Sequence, residues 1–182
     1  MKATGIVRKI DDLGRVVIPK EIRKNLRIRE GDSLEIYIED SGDIVLKKHI
    51  PLGGDMLEIA TKYAEILADT TGFAACITDT ETIVAVSGAP KSEYLAKMIS
   101  SHITNVMEDR AIWSTKDDNI SPIIEGENVL KYKSQIIAPI ICDAEAIGTV
   151  ILFSTKFDKK ITDTEYKLVE STSNFLAKQL EA

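Results

Sequence analysis

The chain has 182 residues, 44% hydrophobic and 5% aromatic, with 23 basic and 29 acidic side chains and a formal charge of −6. That length suits one or two compact domains. No apolar run approaches the roughly 18 residues of a spanning helix, and Met1-Lys2-Ala3-Thr4-Gly5 lacks an apolar leader, so a cytoplasmic protein with no membrane contact is expected.

The charge is uneven. Residues 1–29 hold nine basic and three acidic side chains, a net of +6, which leaves −12 for the rest. Like-signed charge gathered at one end is a footprint of nucleic-acid contact. On charge alone, a solvated basic face explains it equally well.

Thr4 to Ile10 reads as a strand rich in β-branched residues, and Asp11-Asp12-Leu13-Gly14 as a turn that Gly14 closes with a positive φ. Arg15 to Ile18 is a second short strand. Pro19 sits where a helix can start, and Lys20 to Leu26 follows as a short helix with Ile22 and Leu26 on one face. Ser33 to Glu39 alternates, with Leu34, Ile36 and Ile38 facing one way. Asp40-Ser41-Gly42-Asp43 turns the chain into Ile44-Val45-Leu46. A unit of about fifty residues with short strands buries little surface alone. Its apolar faces need a cover, and a second copy is the simplest one. A dimer through residues 1–51 is therefore expected.

Pro51-Leu52-Gly53-Gly54 marks a boundary, and residues 55–182 form a second domain. A helix is predicted over 55–71, capped by Asp55 and ended by Gly72. Strands follow over 73–78 and 82–87, then a helix over 92–109. Residues 110–133 give no clear pattern. Strands are predicted over 134–141 and 146–154, with Gly148 marking a bulge or close backbone packing. The last helix, 162–181, opens with a Thr162/Glu165 capping box. Helices flanking an antiparallel sheet, an α/β (α+β) layer fold, fit this order.

No phosphate loop, no zinc-protease helix and no nucleophile elbow is present, so no enzyme and no cofactor is expected. Cys76 and Cys142 read as buried, reduced thiols, and their separation is not a zinc pattern. His49 and His102 read as ordinary surface or boundary residues. Asp117-Asp118 and Asp143-Ala144-Glu145 read as solvated loop charge. The basic residues of the first unit stand out instead. Arg8 and Lys9 end the first strand, Arg15 follows the turn, and Arg23 and Lys24 lie on the short helix. Such side chains reach phosphates along double-stranded DNA, and arginine also pairs two-pronged with guanine. About four contacts per protomer, roughly eight per dimer, give a log–log salt slope of about −7.

The stretch Thr4-Gly5-Ile6-Val7-Arg8-Lys9-Ile10-Asp11-Asp12-Leu13-Gly14-Arg15-Val16-Val17-Ile18-Pro19-Lys20-Glu21-Ile22-Arg23, with Leu34 to Tyr37 and Ile44 to Lys48, resembles the AbrB-like transition-state regulators. These are swapped-hairpin relatives of the MazE and looped-hinge families. The resemblance implies that two chains interleave hairpins into one dimeric β-barrel, with Arg8, Arg15 and Arg23 on DNA. Lys24 stands where close relatives often carry arginine. It keeps the charge but not the two-pronged geometry.

Phe73 to Ser87 and Ala146 to Ser154 are similar to strands of GAF-like domains. An AbrB-like domain joined to a GAF-like domain implies a sporulation regulator of spore-forming Firmicutes, activating and repressing late forespore genes at the nucleoid. Some GAF folds bind small molecules and others do not. Ser87, Cys76 and Trp113 are placed either to line a pocket or to pack in core and loops. Helices 55–71 and 162–181 are expected to join two dimers into a homotetramer. The competing reading is a toxin-neutralising antitoxin with an AbrB/MazE-like domain. It fits less well, because antitoxin tails are usually short and disordered until bound.

Overall fold

The computed structural model describes residues 4–26, 28, 30–31, 33–48, 52–115, 119–156 and 159–180. Lys2, Arg27, Arg29, His49, Pro51, Lys116, Asp117 and Asp118 lie outside the described residues. The chain falls into two units, Met1–His49 and Ile50–Ala182.

In the first unit the Asp11 carboxylate organises the turn. Its Oδ1 accepts from the backbone N–H of Leu13 at 3.0 Å and of Arg15 at 2.8 Å. Asp11 N donates to the Arg15 carbonyl at 3.1 Å and Gly14 N to the Asp11 carbonyl at 3.0 Å. Gly14 has φ +77°. The flanking stretches 4–10 and 15–18, expected as strands, form no ladder among the described residues. They have β-type sequence but, among the described residues, no strand beside them to bond.

Helix α1 spans Lys20–Asn25, with Pro19 before it and Leu26 closing it. Strands β1 (Leu34–Ile38) and β2 (Ile44–Lys48) pair antiparallel, Ile36 opposite Leu46. The expected turn closes them, with Glu39 N on the Asp43 carbonyl and Gly42 N on the Glu39 carbonyl. Pro19 is the one buried residue among those described in this unit.

The second unit folds on a five-stranded antiparallel sheet. Its strands are β3 (Ala74–Thr78), β4 (Ile83–Ser87), β5 (Trp113–Ser114), β6 (Ser134–Cys142) and β7 (Glu145–Ser154), in the order β4-β3-β7-β6-β5. Helices α2 (Asp55–Thr71) and α5 (Asp163–Leu180) cover one face. Leu52, Ala64, Leu67, Ile77, Ile136, Ile140, Leu152, Val169 and Leu176 share the core there. Cys76, Val86, Ile103, Ile123, Tyr132, Ile137, Ile151 and Phe153 form the core on the opposite face, covered by α3 (Lys91–Tyr94), α4 (Ser101–Asp109) and loops. Both faces are apolar, which is why β6 and β7 read as continuous apolar runs rather than alternating ones.

The helix expected over 92–109 is broken. Between α3 and α4 the chain runs along the outer edge of β4. Ala96 N donates to the Ile83 carbonyl, Ile83 N to that of Lys97, and Ile99 N to that of Glu81, at 2.8–3.0 Å. Ala96 takes φ +60° to make the bend. The periodicity was helical, but satisfying the open edge of the sheet outweighs continuing the helix.

Gly148 fulfils both expectations for it. Opposite it the β6–β7 register slips between Ile140 and Ile141, and a Cβ on Gly148 would lie 2.0 Å from the Thr78 carbonyl oxygen. Asp143 and Ala144, at φ +48° and +63°, close β6 to β7 in the two-residue turn that matches strand twist. The capping box forms, with Thr162 N donating to the Glu165 carboxylate at 2.9 Å.

Candidate nucleic-acid interface

All five basic residues expected to meet DNA are solvent-exposed in the first unit. Arg8 and Lys9 lie on the arm before the Asp11 turn and Arg15 on the arm after it. Arg23 and Lys24 sit in the last turn of α1. The short helix fixes Arg23 through its N–H on the Pro19 carbonyl at 3.0 Å and its own carbonyl on Ile28 N at 2.8 Å.

The structure adds Asp11 to this set. Its Oδ2 holds the Arg15 Nε at 2.8 Å. The Arg15 backbone N–H first, and its guanidinium second, hold the Asp11 carboxyl below its ordinary range. The same carboxylate therefore shapes the turn and aims the arginine on it. Among the described residues only Nε of the three guanidinium nitrogens is engaged, so the pair orients Arg15 and leaves its outward fork open to them. The signal was present in the sequence as an Asp four residues before an Arg across a Gly-closed turn. The turn was read from it, but the carboxylate's grip on Arg15 was not.

Among the described residues no hydrogen bond or ion pair joins the Asp11–Gly14 turn to α1. The apolar side chains beside the basic ones are open to solvent, Val7 at 85% and Val17 at 71% exposed, as are Ile36 and Ile38 on the hairpin.

In the second unit Ser87 is half-buried at the end of β4, and Cys76 is fully enclosed in the core. Burial pushes the Cys76 thiol up, away from the reactive thiolate. Cys142, expected buried, is half-buried, because it stands at the end of β6 beside the turn. Trp113 meets the His102 ring edge-on at 4.5 Å. None of Ser87, Cys76 and Trp113 lines the cavity of about 220 Å³ that opens at one end of the sheet.

The segment 110–133, unreadable in sequence, supplies a polar hub beside that cavity. Glu127 accepts from Ile124 N at 2.9 Å and from the Tyr132 hydroxyl at 2.8 Å. It also pairs with Lys131 at 2.9 Å. Among the described residues no group of three or more side chains is placed to hold a metal ion, and no helix is long and apolar enough to cross a membrane.

The chain thus joins a basic turn on a small, open hairpin unit to a helix-flanked sheet in a second unit. Comparison with known proteins gives the class. Residues 55–181 match the family model described as stage V sporulation protein T C-terminal, transcription factor. Residues 7–52 match that of antidote-toxin recognition MazE, bacterial antitoxin. The whole chain is 42% identical over 181 residues to stage V sporulation protein T of Bacillus subtilis (strain 168), covering 100% of this chain and 99% of that one. The first unit is 63% identical over 51 residues to the transition state regulatory protein AbrB of the same organism, 28% of this chain and 52% of that one. The GAF domain of an Acinetobacter phosphoenolpyruvate-protein phosphotransferase superposes with a TM-score of 0.56 at 11% identity, over 72% of this chain and 86% of that one. That likeness assigns the fold of the second unit as GAF-like.

The chain belongs to the stage V sporulation protein T family of transcription factors. It has an AbrB-like N-terminal domain and a GAF-like C-terminal domain. The full-length relationship and the folded second unit favour this reading over an antitoxin.

Proposed function

We propose that the protein regulates sporulation genes by binding double-stranded DNA through residues 1–51, with Arg8, Lys9, Arg15, Arg23 and Lys24 as the contacting side chains. It acts in the cytoplasm, at the nucleoid of the forespore, as activator and repressor. The observation that carries this is the pairing of two surfaces on one small unit. Exposed cations flank a rigid turn, and exposed apolar strand residues lie beside them. A second copy covers the apolar residues by interleaving hairpins, which supplies the ladder partners that 4–10 and 15–18 lack. It also doubles the basic surface to ten side chains, of which about eight reach phosphates.

The GAF-like domain, residues 55–182, serves oligomerisation and sensing. Leu57 and Ile66 on α2 and Tyr166 on α5 are exposed apolar residues, and Tyr63 stacks on Phe175 at 4.6 Å where the two helices meet. This pair of helices is the surface through which two dimers form a homotetramer.

Gel shift on a promoter fragment together with molar-mass measurement of the full chain tests the reading. Arg23→Ala is expected to weaken binding about tenfold while leaving the mass at four chains. Unchanged affinity at moderate salt refutes the assigned contacts, and a mass of one chain refutes the interleaved unit.

A further inference from the structure

The cavity at the sheet end is bounded by the start of β3 (Ala74), the end of β7 (Phe153), Lys156 just beyond it, Gly88, and Glu93 and Tyr94 of α3, with Lys131 on its wall. Its volume of about 220 Å³ is that of about seven waters at ~30 Å³ each. It is therefore sized for a metabolite of roughly seven to ten non-hydrogen atoms, well below a nucleotide or a drug-sized ligand. The sheet face behind α4 offers no alternative space, because Ile103, Tyr132, Ile137 and Ile151 fill it with no exposed surface.

The walls are chemically divided. One side is apolar, formed by Ala74, Ala89, Phe153 and the Tyr94 ring, the last two at 5.1 Å between centroids. The other side carries charge. Lys131 lies over the Tyr94 ring at 4.7 Å and the Tyr132 ring at 4.9 Å and is tied to Glu127 at 2.9 Å. Burial opposes its charge, but the bonds to Glu127 and Tyr94 outweigh that, and its pKa is raised, so the wall stays cationic at neutral pH. Lys156 and Glu93 complete the rim. Neither the Lys156 ammonium nor the Glu93 carboxylate has an ion-pair partner among the described residues.

The charges sum to zero: Lys131 with Glu127, and Lys156 with Glu93. A dianion such as phosphate meets no net positive field here, and a divalent cation meets two lysines. A molecule with one anionic and one cationic group is matched on both.

We propose that this cavity binds a small zwitterion, an α-amino acid with a compact apolar side chain. Its carboxylate lies toward Lys156 and Lys131, its ammonium toward Glu93, and its side chain on Phe153 and Ala74. The proposal deepens the sensing role given above to the GAF-like domain and rests on it.

The test uses the ¹⁵N-labelled full chain titrated with each of the common L-α-amino acids, with acetate and phosphate as controls that carry negative charge only. Saturable shifts at the Ala74, Gly88 and Ala89 amides are expected with apolar amino acids. Affinity should fall about fivefold to tenfold in Lys156→Gln and in Glu93→Gln. These rim positions carry no core packing, so both variants remain folded. No saturable shift at those amides overturns the site, as does equal response to acetate or phosphate, or full affinity in both variants. Gel shift with and without the bound amino acid reads the sensing role separately. Unaltered DNA binding alongside saturable shifts refutes sensing and leaves the site standing.

Discussion

Replacing Arg15 by Ala tests the DNA surface through a quantity that protein stability does not mimic. The proposed dimer, with about eight phosphate contacts, should show a log–log salt slope of about −7. Arg15→Ala removes one contact per protomer and flattens the slope to about −5. Between 50 and 200 mM salt, affinity should then fall by about 10⁴-fold for the parent and about 10³-fold for the variant. The Arg15 side chain is 68% exposed and its one described ion pair is with Asp11, so the substitution leaves no buried group unsatisfied. Asp11→Ala is the companion. It frees Arg15 without removing a phosphate contact, and should weaken binding several-fold at all salt concentrations with little change in slope. Fluorescence anisotropy of a labelled duplex across a salt series measures both. A slope for Arg15→Ala equal to the parent's refutes the phosphate contact. An unchanged affinity in Asp11→Ala refutes the aiming role.

Three further outcomes are expected. Gly148→Ala places a methyl 2.0 Å from the Thr78 carbonyl oxygen and should cost about 1–3 kcal/mol, read as a lower Tm of the full chain. Leu57→Glu with Ile66→Glu should halve the molar mass, because two exposed apolar residues on α2 become carboxylates, while DNA affinity per dimer persists. The Asp11 pKa is lowered in the folded chain, so its contribution is full above the ordinary carboxylate value near 3.8. It is lost as pH falls through the lowered folded value. The Leu13 and Arg15 amide resonances should hold at pH 5 and shift only in stronger acid.

The elements set by local signals were legible in the sequence. Gly72 at the end of α2, the Thr162/Glu165 box at the start of α5 and the apolar runs of β6 and β7 each depend on neighbours a few residues away. What was missed depends on partners distant in the chain. Leu95 to Ile99 carried helical spacing, yet the segment answers to the bare edge of β4. Glu127 and Lys131 sit in a segment without periodicity and gain meaning only beside Tyr94, some thirty residues earlier. In the first unit the basic residues were legible as a group because the motif is continuous. Their gathering into one surface was not, since in the proposed dimer one chain supplies only half of it.

The covered edge of β4 also limits how copies of this chain can accumulate. A strand left open there would accept further strands head to tail, and heterologous contacts of that kind grow without end. Thr82 is bridged to Met98 and the far edge is reduced to the two residues of β5, so the sheet edges add nothing to the two faces proposed for self-association. The proposed faces are the hairpins of the first unit and the helix pair of the second. A particle with valence two forms only lines or closed rings and cannot branch. With the two proposed contacts, the smallest rings hold two or four chains.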